Sequence, residues 1–219
     1  MAITSQIPST KQSANQMHFS DSFINKSFTI LQLGYKRMNA PAFSTRDEED
    51  ITGELTAEMN SALQETDSPR WCNQFFVHEE VRINQQGKYG KRRKRVDIEI
   101  ETSNVRPRPR LRFEAKRLRT GADTKAYLGS DGMGCFLNGS YASGDPVVGM
   151  LGYVQQSDVL THVNSIESLL KEQAETYSFD DSAGWKSDQI IESLETFRST
   201  HGRVNLANVD VIHTFLIFC

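Results

Sequence analysis

With 219 residues, 37% of them hydrophobic, the chain is long enough for one substantial core and too short to argue for two. Twelve Phe, six Tyr and two Trp set it apart from disordered polyelectrolytes. No apolar run approaches the ~18 residues of a membrane span, and residues 1–22 lack the basic start and apolar stretch of a secretory signal, so a cytoplasmic protein without membrane partners is expected.

The formal charge of −3 conceals an asymmetry. Residues 82–119 hold 14 Lys/Arg against four acids, a local +10, leaving 11 basic against 24 acidic side chains, or −13, elsewhere. A basic segment of that density is the usual footprint of phosphate binding, with a solvated loop as the plain alternative. Cys72, Cys135 and Cys219 are far apart, with no CxxC or His spacing suggestive of zinc, and read as reduced thiols.

In chain order, residues 1–17 are rich in Ser, Thr, Gln and Asn and read as a flexible tail. Between residues 19 and 43, Phe28, Ile30, Leu31 and Leu33 follow neither helix nor strand spacing, so residues 1–44 are set apart as an N-terminal extension to a domain spanning 45–219. Ser44 or Thr45 can cap a helix with Asp47, Glu48 and Glu49 in its first turn and Ile51, Leu55, Met59, Ala62 and Leu63 at helical spacing to about Thr66. Phe75, Phe76, Val77, Val81 and Ile83 predict a strand, followed by a turn at Gly87-Lys88-Tyr89-Gly90 and the basic run Lys91, Arg92, Arg93, Lys94, Arg95. Strands are predicted over 96–101 and 110–116, a short helix over 130–138 closed by Gly139, a strand over 147–154 and a helix over 158–177. A brief helix over 190–197 and a buried strand over 209–218 complete a mixed α/β domain built on one sheet flanked by helices.

If strands 96–101 and 110–116 pair antiparallel, residues whose numbers sum to about 211 face each other: Asp97 with Glu114, Glu99 with Arg112, Glu101 with Arg110. Alternation then puts Val96, Ile98, Ile100, Leu111, Phe113 and Ala115 on one apolar face and the charged residues on the other. Two of the facing pairs have opposite charge, which needs no functional explanation. Asp97 and Glu114 do need one, because adjacent carboxylates repel unless a proton or cation lies between them. Oxygen ligands without nearby His or Cys favour a hard ion, Mg2+ or Mn2+. Lys116, on the same face, can hold an attacking water and stabilise charge on phosphorus. Together these residues are suited to metal-dependent phosphodiester hydrolysis, with Asp97, Glu114 and Lys116 as catalytic candidates and the 91–95 run, Arg117 and Arg119 as nucleic-acid contacts. Tyr89 and Lys125 are further contact candidates, while His213, in an apolar strand, reads as a buried, hydrogen-bonded histidine.

Asp97 in Val96-Asp97-Ile98-Glu99, with Glu114-Ala115-Lys116, resembles the signature of the PD-(D/E)XK, or restriction-endonuclease-like, superfamily over about residues 45–154, although Val96 stands where many members have proline. The resemblance implies a helix, three strands, helix, strand core with a central mixed sheet. It also implies a Mg2+-dependent endonuclease, acting on DNA in preference to RNA, of the kind found in prokaryotic defence and restriction systems. The backbone carbonyl of Ala115 would bind metal, as would a first-helix glutamate, Glu48 or Glu54, though Glu48 could instead complete a capping box with Thr45. Gln155 is an active-site neighbour by the same analogy. The alternative is a catalytically silent nuclease-like module that holds nucleic acid or a partner. Without a DNA-reading domain, a small catalytic unit is expected to work as a homo-oligomer or with a partner protein.

Overall fold

The computed structural model describes residues 20–84, 87 and 89–219; the expected tail and part of the turn at 87–90 lie outside them. Seven strands form one mixed sheet in the order β1-β2-β3-β4-β7-β6-β5. They are β1 (Phe75–Arg82), β2 (Arg95–Thr102), β3 (Arg110–Leu118), β4 (Val147–Val154), β5 (Lys186–Ser187), β6 (Thr196–Arg203) and β7 (Leu206–Ile217). β1, β2 and β3 pair antiparallel, whereas β3 to β4 and β4 to β7 are parallel. The parallel centre explains why β4 is buried along its whole length and why its sequence does not alternate.

Helices α1 (Asp21–Arg37) and α2 (Glu48–Leu63) cover one face of the sheet. Helices α3 (Asp123–Leu128), α4 (Gly134–Leu137), α5 (Val159–Glu172) and α6 (Ala174–Tyr177) lie on the other. Thus α1, on the N-terminal side of the boundary drawn at residue 44, belongs to the same core: Phe28, Ile30 and Leu31 are fully buried. Its buried stripe also includes Ser27 and Gly34, and these small residues hide the helical period. Gly34 is dictated by close packing, since a Cβ there would come within 2.4 Å of Met59. The ends carry ordinary helix signals: Ser20 caps Phe23, and Lys36 and Arg37 occupy the last turn.

Several expectations are corrected. The helix expected over 190–197 is a turn followed by β6, because Thr196 to Arg203 pair with β7 while Leu194 packs into the first core cluster. α3 was not foreseen, the helix expected over 130–138 shrinks to α4, and the helix expected over 158–177 breaks at Gln173. The register between β2 and β3 is the expected one, but its last paired residues are Ile98 and Phe113. β2 then leaves β3, and Val96 packs in the second core cluster, opposite the cluster holding Ile98 and Ile100. The single apolar face therefore ends where the site begins.

His213 is buried and hydrogen-bonded, as expected. It belongs to a chain in which Tyr127 Oη meets His213 Nδ1 at 3.0 Å, Ser199 Oγ lies 2.7 Å from both His213 Nε2 and His201 Nε2, and His201 Nδ1 reaches the Tyr177 carbonyl at 2.8 Å. One proton order satisfies all four contacts. Tyr127 donates to His213, His213 to Ser199, Ser199 to His201 and His201 to the carbonyl, with both histidines neutral. Burial holds His213 well below the usual histidine range and His201 down to about 4. A depressed folded-state value means that the unfolded chain takes up protons first, so stability is full above the unfolded value of about 6.5 and is lost as pH falls through about 4. Denaturant titrations between pH 7 and 4 should show His201 alone removing roughly 3 kcal/mol over that interval, and His201→Gln should flatten the loss.

Candidate active site

The departure of β2 from β3 opens a cleft of about 450 Å3 between the N-terminal turn of α2, the ends of β1–β3 and the basic segment 91–95. Asp97, Glu114 and Lys116 line it together with Glu48, Glu49, Thr52, Glu79 and Glu80 from α2 and β1. Where the ladder stops, the Asp97 carboxylate takes over as acceptor for the Ala115 N–H, at 2.7 Å. Lys116 Nζ donates to Ala115 O at 2.6 Å, Glu48 Oε1 at 2.8 Å and Glu114 Oε1 at 3.2 Å. Glu48 Oε2 accepts from the Arg117 N–H at 3.2 Å.

This geometry separates the two first-helix glutamates. α2 begins at Glu48 with Asp47 as N-cap, so no capping box forms with Thr45, and the Glu48 carboxylate is turned to β3. Glu54 is exposed and outside the cleft.

The electrostatics are unbalanced. Burial raises Asp97 to about 6 against the pull of the Ala115 N–H and Lys116. Burial and then the Asp97 charge raise Glu114 to about 8. Burial works against the Lys116 ammonium, but Glu114, Glu48 and Asp97 outweigh it and hold its pKa above the usual lysine value. Among the described residues one ammonium thus serves three carboxylates, and Glu114 Oε2 is buried without a hydrogen-bond partner. Such an atom wants a proton or a cation.

Among the described residues no group of three His, Cys, Asp or Glu forms a metal cage. The set formed by Asp97, the orphaned Glu114 oxygen and the Ala115 carbonyl is oxygen-only and partial. This fits a hard divalent ion that keeps waters and takes substrate phosphate, and does not fit zinc.

The basic residues divide. Lys91, Arg93, Lys94 and Arg95 line the cleft, with Lys91 and Arg92 exposed. Arg95 pairs with Glu80, and Arg93 Nη1 donates to Asn84 at 2.7 Å. Lys94 Nζ lies 5.7 Å from the Tyr141 ring centre and 3.7 Å from Cys135 Sγ. Arg117 does not line the cleft; its guanidinium is bound to Asp47 at 2.6 Å, fastening β3 to the start of α2. Arg119 lies outside beside Asp123, at 3.7 Å, as do Tyr89 and Lys125. Gln155 is not in the cleft either: its Nε2 donates to the carbonyls of Phe43 and Arg46, both at 2.8 Å, and holds the entry to α2.

Sequence reading missed Tyr141 and Asp131, which complete the wall. No local pattern marks them. Tyr141 is placed by long-range contacts, with Arg203 Nη1 donating to Ala142 O at 3.1 Å and Arg112 to Asp145 at 2.8 Å on the same loop.

Removing one unbalanced carboxylate should stabilise the metal-free protein. A raised folded-state value means that Glu114 costs stability as pH climbs from 4.5 towards 8. In EDTA at pH 8, Glu114→Gln should therefore gain ~1–3 kcal/mol over wild type, a Tm rise of at least ~2 °C, and the gain should disappear near pH 4. Thermal melts at the two pH values check this. Compared with family models, curated proteins and solved structures, the chain matches none.

Proposed function

We propose that the protein is a metal-dependent nuclease that hydrolyses phosphodiester bonds, in DNA by preference, with Asp97, Glu114 and Lys116 at its centre. The observation that carries this reading is the convergence of Glu48, Glu114, Asp97 and the Ala115 carbonyl around Lys116 in an open cleft, with one Glu114 oxygen unsatisfied.

In this reading Asp97, Glu114 and the Ala115 carbonyl hold Mg2+ or Mn2+, with Glu48 adjacent. The ion, when bound, lowers the pKa of a water and offsets charge on the phosphate. Lys116 Nζ orients that water towards phosphorus and faces the negative charge that builds on the phosphoryl oxygens. As the water oxygen bonds to phosphorus, the bond to one ester oxygen breaks. The water's proton passes to solvent, and the departing oxygen takes one from solvent. The exposed Lys91 and Arg92 hold the neighbouring phosphates. We place the enzyme with the nucleases of prokaryotic defence or restriction systems, acting as an oligomer or with a partner.

A second reading has its own support: Lys116 already supplies a cation among the carboxylates, which suits a domain that binds nucleic acid without cutting it.

Incubation with plasmid, linear duplex, single-stranded DNA and RNA in Mg2+, Mn2+ or EDTA separates the two. Asp97→Ala or Glu114→Ala should abolish cleavage and cation-induced thermal stabilisation together. Lys116→Ala should keep affinity within a few-fold and lose about 100-fold or more in cleavage rate, the scale of one preorganised charge. A wild type that binds but never cuts selects the binding module. Neutralising Lys91, Arg92 and Arg93 together should flatten the dependence of affinity on salt, and an unchanged slope in filter binding would reduce the run to a solvated loop.

A further inference from the structure

The sheet carries a second feature, away from the cleft. Phe76 and His78 are two residues apart on β1, the edge strand, and so share one face. Their ring planes are nearly parallel, 9° apart, with centres 6.5 Å from each other. Phe76 is 42% exposed, and its ring and that of His78 together form an aromatic patch. Their cross-strand partners are Glu101 and Glu99, so both rings share the face of β2 that carries those two carboxylates.

The charges around them are stacked in depth. Glu99 and Glu101 have side chains 7% and 13% exposed, underneath Arg110 and Arg108, which are 42% and 44% exposed. The carboxylates hold the arginines in place, Glu101 Oε1 also lying 3.6 Å from His78 Nε2, and are largely hidden from solvent, leaving two guanidiniums and two parallel rings outermost. On their other side, the rings line a groove with the amide side chains of Gln64 and Asn73, while the Asn60 amide there is held by the Thr56 and Val77 carbonyls.

We propose that Phe76, His78, Arg108 and Arg110 form a shelf for an unpaired DNA strand leading into the cleft. Exposed rings with parallel planes accept the π-face of any base, guanidiniums above buried carboxylates take the phosphates, and the Gln64 and Asn73 amides beyond the rings meet base edges. A paired base has its faces covered by its neighbours, so the shelf selects unstacked nucleotides. Along β2, Asp97 is four residues from Glu101, roughly 13 Å at the rise of a strand, a distance that a short run of unpaired nucleotides spans. The inference rests on the nuclease reading for its direction, from shelf to cleft, but binding at the shelf does not require catalysis.

The test is binding in EDTA of a fluorescent 20-nucleotide oligo-dT and of a blunt 20-base-pair duplex. Wild type, Phe76→Ala, Phe76→Trp and His78→Ala are compared, each checked by thermal melt. Phe76→Ala should weaken oligo-dT binding between about fivefold and 100-fold, the effect of losing one stacking ring, with Phe76→Trp restoring it and duplex binding changing less than twofold. Equal loss for both ligands, or no loss for oligo-dT, overturns the shelf; so does a wild type that binds duplex alone. An interface for a protein partner is indicated instead if Phe76→Ala leaves DNA binding intact and changes the oligomeric state. If the shelf variants lose oligo-dT but the wild type never cuts in Mg2+ or Mn2+, the nuclease reading fails and the shelf stands. If the wild type cuts and Phe76→Ala binds normally, the shelf fails alone.

Discussion

A buried carboxylate, Glu114, near enough to the partly buried Asp97 to feel its charge, with Glu48 and the Lys116 ammonium beside it, is the constraint around which this end of the molecule is built. Asp97 and Glu114 are both held above the ordinary acid range, chiefly by burial. A core designed only for stability would replace such a pair by apolar residues at little cost or with a gain. Their surroundings instead keep them in place. The Ala115 N–H binds Asp97, and Lys116 binds Glu48 and Glu114. Arg117, Asp47 and Gln155 fix the start of α2 so that Glu48 arrives at β3. Instability concentrated at one cleft while its supports are satisfied is the usual signature of a functional site.

The ladder between β2 and β3 supplies that geometry by stopping. While the strands are paired, charged side chains pair across them: Glu99 with Arg112 at 2.6 Å, and Arg112 onward to Asp145. Past Ile98 and Phe113 the main-chain partner is lost and a side-chain carboxylate replaces it. The same divergence sends Val96 to the opposite core and makes room for the cleft. Cross-strand ion pairs thus hold the sheet together up to the point where an unneutralised pair is needed.

The basic segment is less uniform than its net charge suggests. Arg117 and Arg95 are bound to Asp47 and Glu80, and Arg112 lies deep in an ion-pair network. Lys91 and Arg92 are exposed, and Lys94 is directed to Tyr141 in the cleft wall. Part of the local +10 is thus engaged in ion pairs that hold the sheet and the start of α2.

The sequence by itself determined the features that depend on neighbours close along the chain. Alternation in β2 and β3 fixed their register, because a one-residue slip would bury Glu99 and Arg112 among Ile98, Ile100 and Phe113. The register in turn brought Asp97 near Glu114 and Lys116. The apolar runs of β4 and β7 and the burial of His213 were legible for the same reason. Tertiary structure decided whatever rested on distant partners. Ser27 and Gly34 make sense as helix positions only against α2, and residues 196–203 are a strand because β7 offers an edge. Glu48 faces β3 and Glu54 does not because of the direction in which α2 starts. Arg117 and Gln155 became struts when the chain before α2 folded onto them, and Tyr141 reached the cleft through a loop held by Arg203 and Arg112. Local periodicity carries the free energy of faces and registers, whereas the assignment of a single polar side chain is settled by the donor or acceptor that packing brings within about 3 Å.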